Sequence, residues 1–219
     1  MLCHDVNTVS PRTADPALRV ALIEEAARLI AELGPKGLTL RRLASEVGTS
    51  TMAIYTHFGG MDEVRRAVRK EGFDRLAEYL AAVKFTNDPV ADVGMLGWAY
   101  FANATANPNL YRAMFMEHPV DLSESGVGID TFFALVMGID RCIRANRFKR
   151  ADPIDLATQL WASEHGVVTL HLSGLLPYRE AVLTFRATSV SLLKAFGDDP
   201  RAVGRSIATT QRRIVNGDA

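Results

Sequence analysis

Cysteine is nearly missing from these 219 residues: Cys3 and Cys142 are the full complement. A disulfide-stapled scaffold is excluded, and a reducing compartment is the expected setting. Charge of one sign is also lacking, because 25 Lys and Arg face 25 Asp and Glu. That balance excludes binding of polyanions through bulk charge and excludes an acidic tail, and leaves room only for local positive charge. No uncharged apolar run approaches the roughly 20 residues that a membrane helix needs. The opening residues, MLCHDVNTVS, have no basic segment followed by an apolar one, so no secretory leader is expected. A soluble cytoplasmic protein with no membrane partner is the expectation. No sustained period-two alternation marks a strand. The phosphate-cradling, nucleophile-elbow and H-E-x-x-H motifs of common enzyme classes are missing as well. Ser163, Glu164 and His165 are consecutive, and neighbours on a helix point about 100° apart, so they do not converge as a triad. The chain is not expected to be an enzyme, and no cofactor is expected.

What is present is a globular composition, 48% hydrophobic and 23% charged, which is too apolar for disorder. Pro follows Asp or Asn five times, at Asp15, Asp88, Asn107, Asp152 and Asp199. An Asx side chain accepts from an orphan N–H at a helix start, and Pro at the first helical position gives up no hydrogen bond. Glycines at 34, 48, 174 and 197 suit helix ends. Between these marks apolar residues recur every three or four positions, as in Leu22, Ala26, Leu29 and Ile30, the stripe of a helix with one buried face. The spacing predicts an all-α fold with helices near 15–33, 39–47, 50–57, 61–84, 89–106, 108–117, 125–146, 153–173, 178–196 and 200–214. Residues 1–14 are expected to form a flexible tail, 15–60 an N-terminal three-helix domain, and 61–219 a larger helical domain with a loop at 118–125.

Residues 37–58, GLTLRRLASEVGTSTMAIYTHF, carry the most information. Two helices of about two turns, broken at Gly48, form a helix-turn-helix. Leu40, Leu43, Ala44 and Val47 face inward on the first, and Ile54 and Phe58 tie the second to helix 15–33. Thr49, Ser50, Thr51, Met52, Tyr55, Thr56 and His57 are then left on the outer side, with Thr39, Arg41 and Arg42 at the start of the preceding helix. Hydroxyls, imidazole and guanidinium suit phosphate oxygens, Arg reads guanine edges, and Met or Thr methyls touch the thymine methyl. A helical hairpin with a merely polar outer face satisfies the same pattern.

Thr39, Leu43-Ala44, Val47-Gly48, Ser50, Ile54-Tyr55 and His57-Phe58, followed by Gly59-Gly60-Met61-Asp62-Glu63-Val64, resemble the DNA-binding domain of the TetR family of transcriptional regulators. The resemblance covers residues 15 to about 65. It implies an all-helical homodimer that grips a palindromic double-stranded operator, under control of an effector-binding C-terminal domain. One residue departs from the family's pattern. Many members carry Lys where Met61 stands, so phosphate anchoring must lean on Thr39, the arginines, Tyr55, His57 and backbone N–H groups. Residues 1–70 hold ten Lys and Arg against eight Asp and Glu, which implies a shallow salt dependence and specificity resting on base contacts.

A second resemblance lies in Trp161-Ala162-Ser163-Glu164-His165-Gly166, together with residues 107–115, NPNLYRAMF. These are similar to a TetR C-terminal subtype named for a Trp-His-Gly signature. Trp98, Phe101, Tyr111, Met114, Phe115, Phe132, Phe133, Val136 and Met137 are candidates to line an apolar effector cavity, with Trp161, His165 and Thr169 as polar handles. Plain core filling is the alternative for each of them. His165 and His171 are six residues apart and do not share a helix face, and Cys3-His4 falls in the tail, so no metal site is expected. Helices 153–173 and 178–196 carry apolar or small residues on two sides, which predicts burial against both the home domain and a two-fold partner. The family resemblance implies the same pair for the homodimer. Residues 200–214 are left between docking on that bundle and fraying. The combined expectation is a ligand-responsive repressor released by a small apolar or aromatic effector. A helical carrier of hydrophobic molecules without operator binding is the alternative.

Overall fold

A computed structural model describes residues 15–115 and 128–217. Among these residues the regular structure is helical throughout: α1 (Pro16–Leu33), a 3₁₀ turn (Pro35–Gly37), α2 (Leu40–Val47), α3 (Thr51–Phe58), α4 (Met61–Ala81), α5 (Pro89–Ala106), α6 (Pro108–Phe115), α7 (Ile129–Arg144), α8 (Pro153–Leu172), α9 (Tyr178–Ala195) and α10 (Pro200–Asn216). The tail with Cys3 and His4, the loop expected over 118–125, and the helix ends expected at 117 and 125 lie outside the described residues.

Four of the five Asx-Pro pairs begin helices in the expected way. Asp15, Asp88, Asp152 and Asp199 accept from the backbone N–H of Ala17, Ala91, Ile154 and Ala202 at 2.8–3.1 Å. Asn107 does otherwise. Its Oδ1 accepts from Arg75 at 2.8 Å and its Nδ2 donates to Asn103 Oδ1 at 3.0 Å, so it cross-links α4 to the end of α5 instead of capping α6.

The chain divides into two units, residues 1–68 and 69–219, and not after residue 60. The reason is that Val64 and Val68, on the first two turns of α4, are fully buried. In the first unit α1 contributes Leu22, Ile23, Ala26, Leu29 and Ile30 to a core shared with Leu38, Leu43, Ala44, Ile54 and Phe58. The Arg19 guanidinium lies over the Phe58 ring, 5.1 Å from its centroid, a cation–π contact that covers the ring face.

In the second unit α8 and α9 pack along each other, and α5 packs against α7, α8 and α10. The segment after Asp199 is no frayed tail: Val203, Ser206, Ile207, Thr210 and Arg213 of α10 are buried. What holds it is a carboxylate with no water access. Asp92 is 0% exposed and accepts from Arg141 Nη1 at 2.9 Å, Arg213 Nη1 at 3.0 Å, and the Thr86 N–H and hydroxyl at 2.8 and 2.9 Å. The two guanidiniums also donate to the carbonyls of Thr86 and Lys84. Nearby, Arg147 forks onto Asp198 at 2.8 and 2.7 Å and reaches Ser206, which donates to Asp88. Four chain segments are joined by these two sets of ionic hydrogen bonds. Asp92→Ala leaves two arginine side chains without their carboxylate, and the expected loss is about 3–5 kcal/mol. Urea unfolding checks it, and a loss under about 1 kcal/mol would place the anchoring of α10 elsewhere.

Candidate functional site

The short helices of the first unit are built by their caps. Thr39 Oγ1 accepts from the Arg42 N–H at 3.3 Å and Ser50 Oγ from the Ala53 N–H at 3.1 Å. Gly48 ends α2 with φ +71°, a left-handed conformation that a side chain would strain. The Thr49 N–H then donates to Ala44 O at 2.8 Å, which closes the turn. Thr39 and Ser50 are therefore structural caps first, with only their hydroxyl protons left for a partner. Arg42 donates to the Gly37 carbonyl at 3.2 Å. Arg41 is exposed.

On α3 the buried side is Ile54 and Phe58. Met52 and Tyr55 are 70% and 49% exposed and share the outer face with Thr56, whose hydroxyl donates back to Met52 O at 3.0 Å. Thr49, Thr51 and His57 are half-buried, and the His57 ring tilts against Phe58 at 6.2 Å. Eight residues make about 12 Å of helix, about the width of the DNA major groove.

In the second unit the expected cavity residues separate into three sets. Phe101, Tyr111 and Met114 are buried in one apolar cluster, bordered by Trp98, Phe115 and Trp161. Phe132 and Val136 belong to the adjoining cluster, where Phe132 meets Trp161 at 5.9 Å. Phe133 and Met137 are a correction. They are 46% and 55% exposed, because α7 buries Leu135, Val136, Ile139 and Cys142, and positions 133 and 137 fall on the other side of the helix. Burial pushes the Cys142 thiol up to about 12, which leaves it unreactive. Among the described residues no group of His, Cys, Asp and Glu is arranged to hold a metal ion.

His165 sits in a polar triangle. Its Nδ1 is 2.9 Å from the Tyr100 hydroxyl and 2.7 Å from that of Tyr111, and the two hydroxyls are 2.8 Å apart. Burial lowers the imidazole pKa and raises both phenols, so all three groups are neutral. One phenol donates to Nδ1 and the other to its neighbour, which places the imidazole proton on Nε2. Aromatic rings close around the imidazole: Tyr111 stacks at 5.6 Å, and Phe115 meets it edge-on at 5.0 Å. Among the described residues the buried Thr169 Oγ1 has no partner of ordinary hydrogen-bond geometry.

The sequence did not single out Tyr100, and it offered Glu164 only as a rejected triad member and part of the Trp161–Gly166 segment. Glu164 is 4% exposed and takes a hydrogen bond from Ser189 at 3.2 Å. Burial pushes its carboxyl up to about 8. A signal for Glu164 was available, since it stands four residues from both Leu160 and Val168 on the buried stripe of α8. Glu164 turns toward Ser189 while His165 turns toward the tyrosines, so the adjacent pair serves different surroundings.

An all-helical chain with a capped helix-turn-helix, an exposed recognition face and a separate helical unit defines a DNA-binding regulator. Residues 22–68 match the model of bacterial regulatory proteins of the tetR family, and residues 94–191 the model of the tetracyclin repressor-like C-terminal domain. The chain belongs to the TetR family of transcriptional regulators. It is 32% identical over 119 residues to the HTH-type transcriptional repressor DrrR1 of Streptomyces coeruleorubidus, covering 54% of this chain but only 39% of that one. It is 25% identical over 194 residues to the HTH-type transcriptional regulator Rv0681 of Mycobacterium tuberculosis, covering 88% and 86% of the two chains. Its fold is like that of PfmR, a TetR family transcriptional regulator from Thermus thermophilus, with a TM-score of 0.67, 20% identity, and 79% and 97% of the chains covered. No helix among the described residues is long and apolar enough to cross a membrane.

The Glu164 carboxyl gives a pH test. It keeps its proton to about pH 8 in the folded chain, against an ordinary carboxyl value of 4.5. Between those values the native state binds more protons than the unfolded one, so this group's contribution to stability falls as pH rises. Glu164→Gln is expected to be more stable than wild type at pH 8, by on the order of a few kcal/mol, and to lose that advantage at pH 5. Thermal melts at the two pH values check this, and a difference that does not change with pH would contradict it.

Proposed function

We propose that the chain is a ligand-responsive repressor that occupies a palindromic operator as an empty homodimer and leaves it when a small molecule enters the second unit. The observation that carries this reading is the outer face of α3. Large side chains, Met52 and Tyr55, are held in water on a helix whose caps and buried face are fully built. Exposed side chains at helical spacing on a capped, groove-sized helix suit base and phosphate contact. DrrR1 is named a transcriptional repressor, and the same sense of regulation is proposed here. The Trp161–Gly166 segment, with the His165 triangle behind it, supports placing the chain in the Trp-His-Gly subtype.

Dimerisation through α8 and α9 is part of the proposal. Their outer side carries a shallow groove lined by small residues, among them Ser163, Ala187 and Ser191. Leu170, Leu175, Tyr178 and Leu183 stand exposed at 45–76%. Small residues permit close helix approach, and exposed apolar side chains on the same two helices suit an interface. Helix α4 is the covalent route between the units, with Val68 in the first core and Leu76 in the second. Two heads must present α3 about 34–36 Å apart to meet successive major grooves. An effector that binds the released state about a hundredfold better supplies about 2.7 kcal/mol toward release.

The test is selection from a random duplex DNA pool at near-physiological salt. A palindromic consensus is expected, weakened for every sequence by Tyr55→Ala or His57→Ala and altered at particular bases by Arg41→Ala or Thr51→Ala. No enrichment by a folded dimer would reject operator binding in favour of a ligand carrier. Ala187→Glu is expected to convert the dimer to monomer in sedimentation runs and to abolish operator binding with it. A dimer unchanged by that substitution would move the interface off α8 and α9.

A further inference from the structure

Glu164 differs from Asp92, the fully buried carboxylate of this unit. Asp92 is surrounded by four donors, two of them guanidinium groups, whereas the donor to Glu164 among the described residues is one serine hydroxyl at 3.2 Å. Its carboxyl borders a cavity of about 90 Å³ between α5, α8, α9 and α10, with Trp98, Ile207 and Ile214 as apolar walls. Gly97 of α5 makes room for the carboxyl itself: a Cβ there would stand 2.5 Å from Glu164 Oε1. Trp98 also borders an open hollow of about 340 Å³, together with Glu78 and Tyr79. Whole small-molecule pockets run to about 300–1,000 Å³. The inner cavity is thus the size of one end of a ligand, and the hollow bordered by Trp98 suits the remainder.

We propose that the Glu164 cavity is a subsite for a small organic monocation, an ammonium or guanidinium group paired with the buried carboxylate, with the ligand's apolar part running past Trp98. This inference rests on the ligand-responsive reading above and names the chemical class of its effector. A carboxylate out of water needs an opposite charge and hydrogen-bond donors, and a cationic nitrogen supplies both. An anion supplies neither. The faces of Trp98 and Tyr79 favour a passing cation, and Glu78 adds a second carboxyl at the outer hollow. The positive group at the inner cavity, Arg186 on α9, is exposed, so solvent screens its repulsion of a bound cation. With burial holding the empty carboxyl protonated to about pH 8, pairing with a cation sends that proton to the solvent, and no bond in the ligand changes. Of the other ionisable groups near Glu164, Tyr100 titrates well above this range and His165 below its ordinary value. Neither changes charge between pH 7 and 9.

The experiment is calorimetric titration of the full chain with n-hexylamine, n-hexanol and hexanoate, probes of one length that differ in the charge of the head. Hexylammonium is expected to bind at least tenfold more tightly than the other two. Its binding at pH 7 should release close to one proton, and its affinity should rise roughly tenfold from pH 7 to pH 9 as the carboxyl ionises. Glu164→Gln is expected to lose at least tenfold in hexylamine affinity while keeping the wild-type helical content. Gly97→Ala, which crowds the carboxyl, should lose binding too, and Phe133→Ala on the exposed side of α7 should not. Equal binding of all three probes, undiminished binding by Glu164→Gln, or no binding of hexylamine at millimolar concentration would each overturn the proposal. The same titration with selected operator DNA present separates the two readings. Hexylamine bound through Glu164 without any change in DNA affinity keeps the subsite and overturns the regulatory role assigned to it.

Discussion

The second unit is organised by a requirement of elementary electrostatics: the carboxylate of Asp92, cut off from water, must be surrounded by donors. Arg141 comes from α7, Arg213 from the far end of α10 and Thr86 from the segment before α5, so meeting the requirement fixes where each of these pieces lies. Once α10 is held against α5, the glycines of α5 acquire meaning. A Cβ at Gly94 would stand 2.6 Å from Thr210 Oγ1, and one at Gly97 would meet Glu164. Close approach of α10 to α5 at Gly94 follows from that anchored helix, and Gly97 makes the matching room for the Glu164 side chain of α8.

Three buried ionisable sites in the same unit show how environment divides labour among similar groups. Asp92 is saturated with donors and works as a structural tie. His165 is held neutral by burial and shares its Nδ1 with two phenols, which gives an aromatic cluster a polar centre without a charge. Glu164 has a serine and an open space. A saturated carboxylate has nothing left to offer a ligand, whereas one with a single weak donor gains most from a partner of opposite charge.

The first unit solves a different problem, that of displaying polar and flexible side chains on two helices too short to be stable alone. Caps at Thr39 and Ser50, the left-handed Gly48 and a core reaching into α4 supply the rigidity. Met52 and Tyr55 can then remain in solvent without loosening the helix. With equal numbers of acidic and basic residues in the chain, contact chemistry and helix placement count for more than net charge.

Helices, caps and the recognition helix were legible in the sequence because they follow from local rules. Asx-Pro starts, glycine stops and three-four spacing each act within one or two turns. The sequence by itself therefore determined the all-helical class, the helix-turn-helix and the polar face of α3. It could not show that Asn107 bridges to Arg75 and Asn103, that Phe133 and Met137 turn outward, or that Val64 and Val68 extend the first core past residue 60. The docking of α10 through Arg213 was likewise undecided, since its partner lies 121 residues away in the chain. The solitary Glu164 carboxyl belongs with these. Which face of a helix is buried, and whether a buried charge finds its donors, depends on neighbours brought from distant parts of the chain, and only tertiary packing chooses them.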